Sequence, residues 1–498
     1  MNVNPITRLD YPDPDVIRVE DTYYMVSTTM HFMPGCEILQ SFDLVHWEHA
    51  TYVYETLDHT DAQQLKSGQN IYGQGMWAAS LRYHEGRFYI CFVANDTRKT
   101  YLYTSEKIDG PWKKQLIEGF YHDGSLLFDE DGRSYIVYGN DEIWITELNE
   151  DLTAPKKDGL HRLLVSDHKN PELGYEGSHI QKINGYYYIF LIHSLRDRWM
   201  RTEACFYSDS LEGEFTGGDV LCDDRGYCGQ GVAQGGIVDT PDGKWYAMLF
   251  QDSGAVGRIP ILVPVTWKDH FPVFGQNGHV PEEIEVHSTR PGYIYQPLVG
   301  SDDFCNGLLP RWQFNHDPDP RYYHLDALQG TYTITTREVC TELTQAVNTL
   351  TQRMSYPSCA AEVTVDASAL KEGDVAGLCA LQGCYAAVGI TKHHGKYEVL
   401  MLDKKEDGIL DMTEGTVVES HQMDFRLEAD FCNMKDEARC YYRVNKGDWL
   451  PIGTVHKLYF KLDHFTGCRF GLFCYAAEET GGSACFRDFK YYDVDEIS

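Results

Sequence analysis

The sequence contains no Cys-x-x-Cys pair, no cysteine–histidine cluster at zinc spacing, and no apolar run long enough to span a bilayer. No structural metal and no membrane helix are therefore expected. The first residues, MNVNPITRLDYPDPD, show neither a basic n-region nor an apolar h-region, so no secretory leader is read there. Positive charge is scarce: 43 Lys and Arg stand against 75 Asp and Glu, a formal net charge of −32. Such a surface repels phosphate backbones and anionic lipid, which argues against nucleic-acid and membrane partners. The 15 cysteines are odd in number and scattered like small apolar core residues. Together with the missing leader, they lead to the expectation of free thiols and a cytoplasmic setting.

What the chain does have is aromatics and turns. Tyr, Phe and Trp number 34, 22 and 9, in a chain of 498 residues that is long enough for more than one core. Five segments repeat one pattern, in which a polar opening leads into an apolar strand, a tight turn and an aromatic strand. They are PDPDVIRVEDTYYMVST, WAASLRYHEGRFYICFV, HDGSLLFDEDGRSYIVYG, YEGSHIQKINGYYYIFLIHS and AQGGIVDTPDGKWYAMLFQD. Their turns fall at Glu20-Asp21, Glu85-Gly86, Asp131-Gly132, Asn184-Gly185 and Asp242-Gly243, residue types that accept the positive φ of primed hairpin turns. The opening residues Asp13, Trp77, Asp123, Glu176 and Gln234 lie 64, 46, 53 and 58 residues apart, about one four-stranded blade each. No amphipathic helix interrupts them. The fold class read here is all-β, with a five-bladed β-propeller over residues 1–295 followed by a C-terminal β-sandwich over 296–498.

The second half of that reading rests on composition. Residues 275–304 are rich in Gly, Pro and charge and read as a connector. Beyond them come short strands such as GTYTITT, SCAAEVTVDAS, YAAVGITK, KYEVLML, CYYRVN, HKLYFKL and CRFGLFCYA, the alternation of a lectin-like sandwich.

In a propeller the innermost strand of every blade begins at one mouth of the central channel, so the five opening residues converge. Three of them are carboxylates: Asp13, Asp123 and Glu176. Glycosidic cleavage needs a neutral acid to protonate the leaving oxygen and an ionised carboxylate across the sugar. A third carboxylate nearby raises the acid's pKa by like-charge repulsion. Asp15 shares a strand face with Asp13 and reads as structural, while Asp129 and Asp131 read as solvent-facing turn residues.

The opening NPITRLDYPDPDVIRVEDTYYMVSTTMHFMPGCEILQSFDLVHW, with GQGMWAASLRYHEGRFYI, DGSLLFDEDGRSYIVYG, YEGSHIQKINGYYYIF and GRIPILVPVTWKDHFPVFG, resembles glycoside hydrolase family 43, particularly its two-domain β-xylosidases and α-L-arabinofuranosidases. NTLTQRMSYPSCAAEVTVDAS and DVAGLCALQ are similar to that family's appended sandwich. The resemblance implies Asp13 as general base, Asp123 as pKa modulator and Glu176 as general acid of an inverting enzyme, whose carboxyl groups stand roughly 6.5–9.5 Å apart. It implies substrate contacts from Trp77, Phe32 and Arg258, and from Phe465 of a second domain that packs near the active-site mouth; Gln234, at the fifth opening, is counted with these as a substrate-binding residue. A pocket narrowed in this way removes terminal sugars. Many members place an ion-ligating His where this chain has Gln234, a poorer ligand. No metal ligand is therefore assigned and no cofactor is required, and Ca²⁺ held largely by water is the only ion considered. The expected activity is an exo-acting β-xylosidase on small oligosaccharides, the alternatives being an α-L-arabinofuranosidase (or both) and a non-catalytic sugar-binding propeller. A homo-oligomer is compatible with the sequence.

Overall fold

A computed structural model of the chain describes residues 3–413, 415–459 and 465–493. Its first five antiparallel sheets follow one another along the sequence as propeller blades. Blade 1 holds Asp15–Val19, Thr22–Val26, Gly35–Ser41 and Glu48–Tyr54, and blade 2 holds Met76–His84, Arg87–Ala94, Lys99–Ser105 and Lys113–Ile117. Blade 3 holds Ser125–Phe128, Ser134–Asn140, Glu142–Leu148 and His161–Ser166, and blade 4 holds Glu176–Ile183, Tyr186–Ser194, Arg201–Ser208 and Thr216–Leu221. In blade 5 two short pieces, Val232–Ala233 and Ile237–Asp239, share the inner place beside Trp245–Asp252, Arg258–Lys268 and Phe271–Phe274.

The repeat motifs are the inner hairpins of these blades. Val19 pairs with Thr22, His84 with Arg87 and Ile183 with Tyr186, leaving two-residue turns. Glu20, Glu85 and Asn184 take φ of 55°, 47° and 51°, as primed turns require. In blades 3 and 5 the pairing stops at Phe128–Ser134 and Asp239–Trp245, so the turn is a longer loop closed by Asp129 or Thr240. That loop turns Asp129 inward. It is buried, with Lys182 Nζ 2.6 Å from Oδ1 and the Tyr187 hydroxyl 2.5 Å from Oδ2. The expectation of a solvent-facing Asp129 is corrected accordingly, since its carboxylate ties blade 3 to blade 4.

Between the blades lie apolar layers such as Leu81, Ile90 and Phe92, or Tyr135, Val137, Ile145 and Ile189, all buried. Each such side chain contributes roughly 1.5–3 kcal/mol. The N-terminal segment closes the ring on blade 5, where Ile6 N–H bonds Pro260 O, Tyr11 N–H bonds Arg258 O, and Asn4 reaches Leu262 O.

The sandwich has one sheet of seven strands and one of nine, with Val363, Leu378, Phe425, Leu472 and Phe486 in the core between them. Of the strands expected here, HKLYFKL begins with the last two residues of a strand that runs Leu450–Lys457, and its residues 460–462 lie outside the described ones. The nine-stranded sheet has a member that sequence patterning did not reveal. Phe32–Met33, from blade 1, pairs with Gln313–Asn315 and so joins the second domain's sheet.

Candidate active site

The blade openings gather the predicted residues by two local devices. In blades 1 and 3 the left-handed residue stands two positions ahead of the inner strand, and in blade 5 it lies between the two inner pieces: Asp13, Asp123 and Gln234 have φ of 52°, 47° and 61°. For a residue with a Cβ this costs of order 1–3 kcal/mol, and it aims the side chain across the channel mouth. In blades 2 and 4 the register breaks between Met76 and Ala79 and between Glu176 and His179. These bulges present Trp77 and Glu176 instead. Gly177 has φ of 64°, and a Cβ there would stand 2.7 Å from Gln234 Cγ. Only glycine brings this backbone close enough for its N–H to meet Asp123 Oδ2 at 3.0 Å.

Asp13 is buried and held at both oxygens. Arg258 Nη1 donates to Oδ1 at 2.7 Å and Thr28 Oγ1 to Oδ2 at 2.6 Å. Arg258 is itself fixed by Asp252 at 3.2 Å, which Arg201 braces at 2.6 Å. The guanidinium lies between the faces of Phe250 and Phe465, 4.6 and 4.2 Å from their centroids. Burial opposes its charge, but Asp13, Asp252 and Glu176 outweigh burial and keep Arg258 firmly protonated.

Asp123 and Glu176 stand together around a residue that the blade-opening pattern did not single out. His122 Nε2 is 3.5 Å from Asp123 Oδ2 and 3.5 Å from Glu176 Oε2. Ligand atoms of the three lie within 4.8 Å of one another, a set with the donor chemistry to hold a metal, although the reaction considered below needs none. Asn140 Nδ2 donates to Glu176 Oε2 at 2.9 Å. Side-chain exposure separates the four groups: 3% for Asp13 and 8% for Asp123, but 20% for Glu176 and 19% for His122. The last two are the ones open to the pocket.

The charges sort accordingly. Burial pushes Asp123 up to about 6, against the pull of His122 and with Glu176 and Asp13 adding to the rise. Burial opposes ionisation of Glu176 as well, but His122, with Arg201 and Arg258 behind it, outweighs it and holds that carboxyl below the usual range. His122 would be lowered by burial, yet Asp123, Glu176 and Asp13 raise it to about 9. In the free protein like-charge repulsion therefore raises Asp123 rather than Glu176, because an imidazolium sits against the Glu.

The remaining candidates are placed as follows. Trp77 meets Phe465 edge-on at 5.4 Å and His122 at 5.9 Å, forming one wall. Phe465 belongs to the second domain. The neighbouring Gly467 and Cys468 N–H groups bond Asp10 Oδ2 and Ala255 O, seating that loop on the segment that carries Arg258. Phe32 is buried at the domain seam, with the Arg469 guanidinium 3.4 Å over its ring and His31 4.3 Å away. Gln234 is buried behind Gly177, and its N–H bonds Glu203 Oε2 at 2.7 Å. Asp15 belongs to the layer below and takes no part in the pocket, accepting from Leu81 N–H, Arg82 and His179. Thr28, Asn140 and Arg201 carried no sequence signal of their own, because their partners are distant in the chain. His122 is one position from a blade-opening carboxylate.

The family model for glycosyl hydrolases family 43 matches residues 3–272. The chain belongs to that family. A second model, the beta xylosidase C-terminal concanavalin A-like domain, matches residues 301–492. A protein named beta-xylosidase from Formosa agariphila is 26% identical over 99% of this chain and 89% of its own length. A xylosidase/arabinosidase of Butyrivibrio fibrisolvens is 24% identical, covering 99% of both. A solved structure described as a bifunctional GH43-CE protein of Bacteroides eggerthii superposes with a TM-score of 0.92 at 42% identity, covering 99% of this chain and 63% of that one. In this member of family 43 the three carboxylates come from blades 1, 3 and 4, and the pocket wall is completed from outside the propeller by Phe465.

Proposed function

We propose that this family 43 glycoside hydrolase removes terminal pentoses from xylan-derived oligosaccharides with inversion at the anomeric carbon, acting as a β-xylosidase with α-L-arabinofuranosidase as the alternative or accompanying activity. The observation that carries the reading is the convergence of Asp13, Asp123 and Glu176 on one mouth that Trp77 and Phe465 narrow. A narrowed mouth admits the end of a chain more readily than its middle, which supports exo action. The names of the relatives from Formosa agariphila and Butyrivibrio fibrisolvens support the pentose substrates.

In this reading Asp13 is the base. Its two donors fix the carboxylate and leave one lone pair on each oxygen, one of which takes a proton from water, whose oxygen attacks the anomeric carbon. Glu176, on the pocket side with Asn140 orienting it, gives its proton to the leaving oxygen. Arg258 and the N–H of Gly177 position Asp13 and Asp123 respectively. None of these steps uses a metal. The natural substrate is short and neutral, matching the acidic surface, and a cytoplasmic role in finishing imported oligosaccharides is consistent with it.

Hydrolysis of p-nitrophenyl β-xyloside and α-L-arabinofuranoside tests the proposal. Turnover of the first, of the second or of both is expected, with xylobiose cut to xylose. Inactivity on all three substrates would leave the sugar-binding propeller as the better reading.

A further inference from the structure

His122 has a place in the geometry that neither the three-carboxylate scheme nor family membership requires. Its Nε2 is buried without a hydrogen bond, facing Asp123 Oδ2 and Glu176 Oε2 at the same 3.5 Å, while the rest of the ring is partly exposed. The titratable and charged groups around it come from every neighbouring element. Asp123 lies on its own blade, Glu176 on blade 4 and Asp13 on blade 1, while Arg201 and Arg258 approach from behind Glu176. Trp77 covers its remaining side. The Glu176 oxygen nearest His122 is also the one that Asn140 holds.

We propose that His122 is the proton store for Glu176, the imidazolium handing its Nε2 proton to Glu176 Oε2 when the leaving oxygen needs one. This rests on Glu176 being the acid. Protons and charge balance through the cycle. An N–H bond of His122 breaks as an O–H bond forms on Glu176, and that proton then passes to the leaving oxygen as its bond to the anomeric carbon breaks. Water contributes hydroxide to the sugar and a proton to Asp13. After product leaves, Asp13 releases that proton to solvent and neutral His122 takes one up. The gap of 3.5 Å closes by a small rotation, as catalytic hydrogen bonds commonly tighten once substrate is bound. His122 thus acts through Glu176 and is a positioning residue rather than one that touches sugar.

The consequence is an alkaline limit set by the imidazole. The cluster of His122, Asp123 and Glu176 keeps one proton until His122 titrates near 9, whereas without the imidazole only the carboxyl proton raised on Asp123 by burial remains. The experiment is the pH profile of kcat/KM on xylobiose for the wild type and the His122→Gln and His122→Asn variants, with thermal melting to confirm folding. Both variants keep a donor toward the carboxylates but cannot titrate. Their alkaline limb is expected to move down by at least about one pH unit, so that the loss relative to wild type grows as pH rises. An unmoved limb, or an equal loss at every pH, overturns the proposal. Nitrogen-15 imidazole NMR, assigned by comparison with the Gln variant, gives a second reading. The His122 ring is expected to remain imidazolium at pH 8, and a neutral ring at pH 7 contradicts the store. A Glu176→Gln enzyme that still cuts xylobiose at the wild-type rate would instead sink the assignment of the acid, whatever the His122 variants do.

Discussion

Asp13 and Asp15 are two residues apart, equally buried, and opposite in use. Asp15 lies below the pocket, its oxygens taken by Leu81 N–H at 2.7 Å, Arg82 at 2.8 Å and His179 at 3.1 Å. Arg82 goes on to bond Leu126 O and Ser125 Oγ, so blades 1, 2, 3 and 4 meet in one network. Burial resists the Asp15 charge, but Arg82 and His179 outweigh it and hold the carboxyl at about 2. Asp13 and Asp123 sit one layer higher on left-handed backbone, in the same cluster as the more exposed Glu176 and His122. Asp15 carries three donors on its two oxygens, from blades 2 and 4, whereas Asp13 carries two and keeps a lone pair open on each oxygen. Beyond the strut layer, the far ends of the five inner strands ring a cavity of about 300 Å³ at the other mouth, which holds none of the three carboxylates.

The comparison breaks most sharply in the upper layer. Asp13→Asn and Glu176→Gln are expected to lower kcat on xylobiose by about 10²–10⁴-fold while leaving the melting temperature unchanged or raised. Steady-state kinetics and calorimetry on the same preparations check both halves. In the lower layer the pattern inverts. Asp15→Ala leaves Arg82 buried without its carboxylate, a loss of about 3–5 kcal/mol in stability, measured by denaturant unfolding. Any fall in activity should follow the fraction unfolded.

pH separates the layers next. The folded-state pKa of Asp15, depressed to about 2, gives stability that is present above its unfolded value and is lost as pH falls through 2. Asp123, raised to about 6, has the opposite sign: its ionisation costs the folded state as pH climbs from the unfolded value through 6. Asp123→Asn is therefore expected to stabilise the protein at pH 7 relative to pH 4, by of order 2 kcal/mol. Thermal melts of variant and wild type at both values test this, and an equal difference at the two pH values would contradict it. The smallest effect is assigned to the borrowed wall. Phe465→Ala should raise KM for xylobiose about tenfold, the scale expected when one aromatic ring is removed from a sugar subsite, with kcat altered less.

Much of this was legible in the chain before any coordinates. The five hairpins announced themselves because Asn-Gly, Asp-Gly and Glu-Gly turns tolerate positive φ, and the spacing of their openings then put three carboxylates at one mouth. What escaped depends on partners far away in sequence. Phe32–Met33 joins a sheet nearly 300 residues downstream, and a two-residue strand has no period to detect. Asp129 looked like a turn residue because nothing local reveals Lys182 and Tyr187 beneath it. His122 adjoins Asp123, and only the fold brings Glu176 to its other side. Its charge reverses the simple expectation for which carboxyl is raised.

A base at Asp13 on one side of the sugar and an acid at Glu176 on the other require inversion at the anomeric carbon. Proton NMR of the wild-type enzyme cutting xylotriose follows the anomer released before mutarotation. α-Xylose is expected first, from inversion of the β-linkage. β-Xylose first would mean retention through a covalent intermediate, and would rule out Asp13 as a base acting on water.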